Sequence, residues 1–331
     1  MSRTRLTVVL SQAQGKNPAK RALEESIAAS LLMEGGMDVS IVPSLYDMDA
    51  NHTGRMYLEG VRSDLIFLSW MYPRATFWML DRAGIKGHYG ENLIAKKTEE
   101  DDEESGTDEP RGIGAVNVPD RKIYCLDLRD YTDHRVYLDE IKRIAAEVTA
   151  ARTAKAPLLQ LGLMPAEIAA PAMTFTQEEL LAPTGRRWYP VIDYSRCTNC
   201  MECLDFCLFG VYGVDSMERL VVENQDSCKK GCPACSRVCP EHAIMFPEHK
   251  TPSIAGAPVA APSGLKIDLT KLFGGGDALA LAAAERDNEL VKDGREAVGL
   301  SVGIPKRQAT KGQGPKDDLD KLMDELDALE I

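Results

Sequence analysis

The chain has 331 residues, more than one small metal-binding module needs and enough for two domains that each bury a core. Its formal charge of −12, from 51 acidic against 39 basic side chains, argues against nucleic acid, whose phosphates would be repelled. No stretch approaches the roughly eighteen uninterrupted apolar residues that a membrane helix needs. MSRTRLTVVLSQ also runs into a strand-like segment without a cleavage site, so a soluble cytoplasmic protein is expected.

In chain order, residues 1–151 alternate strand and helix signals. Apolar runs at Leu6 to Leu10, Val39 to Val42, Leu65 to Ser69 and Ile123 to Leu128 predict four strands. Helical patterns fall at Ala19 to Glu34, Gly54 to Val61, Ala75 to Ala83 and His134 to Ala151. Asn17 is a candidate N-cap, with Pro18 at the first helical position. Short apolar strands alternating with helices predict an α/β domain whose parallel sheet is covered on both faces. Cys125, alone in an apolar run, reads as a small buried hydrophobe. Within this domain, an insertion over residues 96–118 contains EEDDEESGTDE, Glu99 to Glu109. Its eight carboxylates cannot bury apolar surface, and a solvated, disordered segment is expected.

Residues 152–187 are richer in Ala and Pro and read as a linker with short helical pieces at Ala166 to Ala169 and Gln177 to Leu181. Eight of the nine cysteines then fall between Cys197 and Cys239, within a domain assigned to residues 188–250. Beyond it, residues 251–316 read as a Pro/Ala/Gly-rich linker interrupted by a compact patch, LKIDLTKLF, and a helical segment at 277–291. The last stretch, 317–331, spaces Leu319, Leu322, Met323, Leu326 and Leu329 along one stripe of an amphipathic helix, with acids on the other face. Such a helix is marginal alone and would gain order in a partner's groove. In pattern it resembles short leucine-aspartate docking helices and the terminal peptides that recruit cargo to protein shells, which implies a groove or shell partner.

The cysteines form an internal repeat: Cys197, Cys200, Cys203 and Cys207 as C-x2-C-x2-C-x3-C, then Cys228, Cys232, Cys235 and Cys239 as C-x3-C-x2-C-x3-C. In a reducing compartment clustered thiols read as metal ligands rather than disulfides. Two zinc sites of four thiolates would usually present paired C-x2-C knuckles separated by longer loops. A third cysteine three residues on instead suits a loop wrapping a cubane, each thiolate meeting a different iron.

This region resembles the bacterial two-cluster ferredoxin domain, whose repeat is C-x2-C-x2-C-x3-C-P with the fourth cysteine of each motif serving the other cluster. The resemblance covers about a fifth of the chain. It implies a small α+β unit of βαββαβ order holding two 4Fe-4S clusters, and a protein that passes single low-potential electrons between redox partner proteins. Cluster I would be held by Cys197, Cys200, Cys203 and Cys239, and cluster II by Cys207, Cys228, Cys232 and Cys235. Two departures bear on cluster II. Leu208 stands where the family has proline, and Lys229-Lys230-Gly231 adds one residue between Cys228 and Cys232, which Gly231 can absorb with a positive φ.

The amino-terminal domain resembles flavodoxin-like folds in its turn SQAQGKNP, where Ser11 and Gly15 would face an FMN phosphate at a helix N-terminus. Trp70 and Tyr72, after the third strand, stand where a flavin-stacking aromatic is expected. The domain also resembles chelatase-like folds, through its four parallel strands and the Gly87-His88 pair. The flavodoxin resemblance implies an alternative function, a flavin-dependent oxidoreductase fed by the clusters. A further alternative makes the chain an interaction module or zinc-binding protein. No Walker loop, G-x-S-x-G or dinucleotide fingerprint is present, so no independent catalytic centre is legible.

Overall fold

The computed structural model describes residues 6–94, 112–155, 175–258 and 278–303. The acidic run 99–109, the helical piece 166–169, the patch 265–273 and the docking helix 317–331 lie outside the described residues.

The first domain comprises β1 (Thr7–Ser11), α1 (Pro18–Glu34), β2 (Asp38–Val42), α2 (Thr53–Gly60), β3 (Leu65–Ser69), α3 (Pro73–Arg82), β4 (His88–Gly90), β5 (Lys122–Asp127) and α4 (His134–Lys155). Asn17 caps α1 by accepting from the N–H groups of Ala19 and Lys20, with Pro18 in the first turn. The strands make one fully parallel sheet in the order β2-β1-β3-β5-β4. Helices cover both faces. Leu23, Ile27 and Leu31 of α1 and Tyr137, Ile141 and Ile144 of α4 pack on Ile66, Leu68 and Tyr124, whereas Leu58 of α2 and Leu80 of α3 pack on Val9, Phe67 and Cys125. Cys125 is fully buried, as its apolar surroundings imply.

Two points differ from the sequence reading. A fifth strand exists, but β4 is three residues long at the sheet edge, too short to carry a periodicity. Placing the last strand, β5, inside the edge strand β4 gives the order 2-1-3-5-4, whereas flavodoxin-like sheets run 2-1-3-4-5.

After a short helix, α5 (Gln177–Leu180), closed by a Thr176–Glu179 capping box, the chain runs through β6 (Val191–Ile192), α6 (Glu202–Phe206), β7 (Tyr212–Val214), β8 (Leu220–Val222), α7 (Ala234–Val238) and β9 (Ile244–Met245). The pairs β6–β9 and β7–β8 are antiparallel. Residues 251–316 are not simply a linker. The short helix α8 (Pro252–Ala255) buries Ile254 and Ala255, and α9 (Ala278–Lys292) lays Ala282 and Leu279 on Phe206, Cys232, Ala234 and Val238. Composition hid this packing, because a surface of alanines buries area without an apolar stripe of large side chains. Among the described residues no helix is long and apolar enough to cross a membrane.

Three grips tie the first domain to the segment that leads into the first cysteine motif. Tyr46 stacks on Tyr189 with ring centroids 4.4 Å apart. Its hydroxyl donates to Tyr189 O and accepts from Tyr189 N, each at 2.7 Å, while the Tyr189 hydroxyl donates to Tyr46 O at 3.1 Å. Arg74, at the start of α3, donates to the buried Asp193 carboxylate at 2.5 Å and to His242 O at 2.6 Å. Residues 112–114 lie along the lead-in, Gly112 N, Ile113 N and Gly114 N donating to Ser195 O, Cys197 O and Tyr194 O at 2.8–3.0 Å.

These grips generate two predictions. Tyr46→Phe leaves the buried N–H and C=O of Tyr189 without their partner and should cost on the order of 2–3 kcal/mol, against about 1 kcal/mol for Tyr189→Phe; urea midpoints at unchanged slope measure both. At Gly112 a Cβ would stand 2.3 Å from the backbone of Tyr194 and Ser195. Backbone cannot swing aside, so Gly112→Ala should lower the same midpoint by about 1–3 kcal/mol, whereas Gly185→Ala, which meets nothing within 4 Å, should not.

Candidate metal centre

Each cysteine motif wraps back on itself before entering a one-turn helix. In the first, Asn199 and Met201 take left-handed φ values of 58° and 62°, costly for residues with a Cβ. The Asn199 side chain fixes that turn, donating to Glu218 O and accepting from Leu220 N, both at 2.8 Å. The second motif turns at Gly231, φ 89°, so the extra residue is absorbed where the sequence places a glycine. Cys203 rides on α6 and Cys235 on α7. Cys207 and Cys239 cap these helices, their N–H groups bonding Cys203 O at 3.1 Å and Cys235 O at 3.2 Å. The missing proline leaves the local backbone unaltered: Cys207 (φ −80°, ψ 107°) leaves its helix much as Cys239 does before Pro240 (φ −67°, ψ 114°).

The eight thiols divide between two cavities. Cys197, Cys200, Cys203 and Cys239 line one, with Thr198, Glu202, Leu220, Glu241 and Ile244 around them. Cys207, Cys228, Cys232 and Cys235 line the other, with Phe206, Phe209, Tyr212, Lys229 and Arg286. Each cavity thus takes three thiols from one motif and the fourth from the other.

Burial pushes the Cys203 thiol well above its usual range, and Cys239, Cys197 and Cys200 push it further. Around Cys235, burial acts first and Cys207, Cys228 and Cys232 next. Burial likewise lifts Cys232 and Cys239 to about 11. Backbone N–H groups oppose it, those of Ala234 at Cys232, Ala243 and Glu241 at Cys239, and Phe209 and Val211 at Cys207. Four thiolates confined together repel one another, and a positively charged group among them is what relieves both repulsion and desolvation.

Each cavity also holds a buried hydroxyl without a protein partner. Thr198 Oγ1 is the one in the first. Tyr212 Oη is the one in the second. Among the described residues no three His, Cys, Asp or Glu are gathered as a single metal ion would require. An all-sulfur donor set, spread around a cavity and supplied with N–H donors, fits an iron-sulfur core whose irons each take one thiolate.

Ser11, Gly15, Trp70 and Tyr72 stand at the carboxyl end of the sheet, and the Ser11 hydroxyl, Gly15 O and Trp70 Nε1 are engaged within the protein. Ser11 Oγ donates to Pro43 O and accepts from Leu45 N, each at 3.0 Å. Gly15 O accepts from Arg21. Buried Glu24 lies against this turn, accepting from Ala13 N at 2.6 Å, Arg21 at 2.7 Å and Trp70 Nε1 at 2.8 Å. Lys20 lies over the Trp70 ring and the Arg129 guanidinium 3.8 Å over that of Tyr72, so both rings already carry a cation on one face. The sequence reading missed Glu24, a carboxylate in the second turn of α1 that accepts from Ala13 N. The sequence reading also missed Arg286, which lines the second cavity from α9. Its only trace in the sequence is a charged residue inside an alanine-rich helix.

No known protein family's profile matches the chain, and no solved structure matches it. A segment of 48 residues, 14% of the chain, is 48% identical to an uncharacterised ferredoxin of Methanocaldococcus jannaschii. The chain spans about a third, 32%, of that relative's length. Over that stretch, and on that evidence, the chain is ferredoxin-like.

Proposed function

We propose that the protein is an electron carrier holding two 4Fe-4S clusters, and that it passes single low-potential electrons between redox partner proteins. The observation that carries this reading is the division of eight thiols, four buried and four half-buried, into two cavities, each completed by a cysteine from the other motif. The ligands of cluster I are Cys197, Cys200, Cys203 and Cys239, and those of cluster II are Cys207, Cys228, Cys232 and Cys235. When bound, such a cluster supplies a site that gains or loses one electron at a time.

The chain's own residues would set the conditions for that exchange. Buried side chains such as Phe206, Ile244 and Leu220 exclude water from the sulfur atoms. The N–H groups of Ala234, Ala243 and Val211 donate toward ligand sulfurs and so favour the more negative, reduced state. Tyr212 lines the second cavity, and its buried side chain packs in the same core cluster as Cys197, Cys203 and Cys235. The first domain serves as the platform that grips the lead-in to Cys197, with partner recognition assigned to its outer surface.

Protein purified anaerobically should be brown and hold about eight iron and eight acid-labile sulfide per chain, four of each per cubane. A colourless protein with stoichiometric zinc contradicts the proposal. The ligand assignment has its own test in iron content after single substitutions. Cys203→Ser and Cys239→Ser should both deplete one cluster, while Cys207→Ser and Cys232→Ser deplete the other, each reducing iron toward about half. If Cys207→Ser removed the same cluster as Cys203→Ser, the crossed pairing would be wrong.

A further inference from the structure

The two cavities differ in charge. Glu202 and Glu241 line the first, whereas Arg286 and Lys229 line the second. Lys229 is answered by Asp293 at 2.6 Å and is about one-third exposed, so its charge is largely screened. Arg286 is 1% exposed, among the most deeply buried large side chains of the described residues. Its guanidinium lies 4.4 Å over the Phe206 ring and donates to Val302 O at 3.0 Å, Gly299 O at 2.6 Å and, weakly, Phe206 O at 3.4 Å. Asp287 answers it at 3.2 Å and itself accepts from Gly299 N at 2.6 Å.

These contacts bracket one ligand. Phe206 precedes Cys207 and Leu208 follows it, and Leu208 O accepts from Arg295 at 3.0 Å. The segment 278–303 therefore holds the turn at which the ferredoxin pattern has proline and this chain has leucine. The other charges facing the cavity from α9 are spoken for: Glu285 pairs with Arg237 at 2.9 Å, and Glu289 with Lys292. Among the described residues no arginine lines the first cavity itself; Arg219, 9% exposed, acts on Cys197 from beyond its lining. A fixed cation in a poorly hydrated interior favours the more negative state of whatever redox group it faces, more so than the same charge in water.

We propose that Arg286 is a positioning and potential-setting residue for the second cavity, clamping the Cys207 turn and making its cluster the more readily reduced of the two. The inference rests on the two-cluster reading above. It would give electron flow a direction: were both groups bound, the one held by Cys207, Cys228, Cys232 and Cys235 would be where an electron from a donor protein rests before it leaves to an acceptor protein.

The test is a redox titration of the full-length, anaerobically purified protein, followed by visible absorbance, with Cys232→Ser used to identify the step that belongs to the second cavity. That step should lie at the higher potential. Arg286→Met should lower it alone, by about tenfold in the reduction equilibrium, 59 mV for one electron. Arg286→Lys, which keeps the charge, should restore most of the difference, and Asp287→Asn, which removes the compensating carboxylate, should raise the step. A second-cavity step unmoved in an Arg286→Met protein with its full iron content, or both steps moved equally, overturns the role of Arg286 and leaves the two-cluster reading standing. A wild-type protein with no reducible step removes that reading itself. Should Arg286→Met fail to accumulate, Asp287→Asn decides alone, since the absence of an upward shift overturns the proposal.

Discussion

Repulsion among buried thiolates is the constraint on which the rest of the ferredoxin-like unit depends. Each cavity collects four sulfur atoms in a space where water cannot solvate their charge, and burial pushes the central thiols, Cys203 and Cys235, well above their ordinary range. Left alone such a cavity favours neutral thiols; a cationic core, were one bound, would make them ligands. The turns at Asn199, Met201 and Gly231, the one-turn helices and the inward N–H groups follow from the need to bring those sulfurs together without leaving backbone unsatisfied.

The unit is too small to hold that geometry by its own strands, which are two or three residues long. Its rigidity is borrowed from both sides. Tyr46, Arg74 and the 112–114 segment of the first domain fix the lead-in to Cys197, while α9 and the following turn fix the region around Cys207. The carboxyl-terminal segment adds Arg286 to the wall of the second cavity, while the first is lined from within the unit itself.

The alternation of apolar runs with helix signals made the parallel sheet legible, because strands buried on both faces read as continuous hydrophobic stretches. The edge strand His88–Gly90 was not legible, and neither was its place outside β5, since register and crossover leave no periodic trace in three residues. Cysteine spacing, with the family resemblance, named two groups of four, and the cavities gather the same groups. What spacing cannot convey is charge brought from a distance. Arg286 lies 79 residues beyond Cys207 in an alanine-rich helix, and Glu24 meets the Ala13 turn only once α1 has folded back. A turn rich in potential donors reads alike in sequence whether its N–H groups are open or, like that of Ala13, answered by a carboxylate.

The central claim is that two four-iron clusters sit close together in one small unit. Its most direct test is the electron paramagnetic resonance spectrum of the dithionite-reduced, full-length protein at low temperature. The account predicts about two spins per chain, one per reduced cubane, with the features broadened and split by their mutual coupling. A signal from one isolated cluster, or no signal from a protein that retains a metal on all eight thiols, would contradict it.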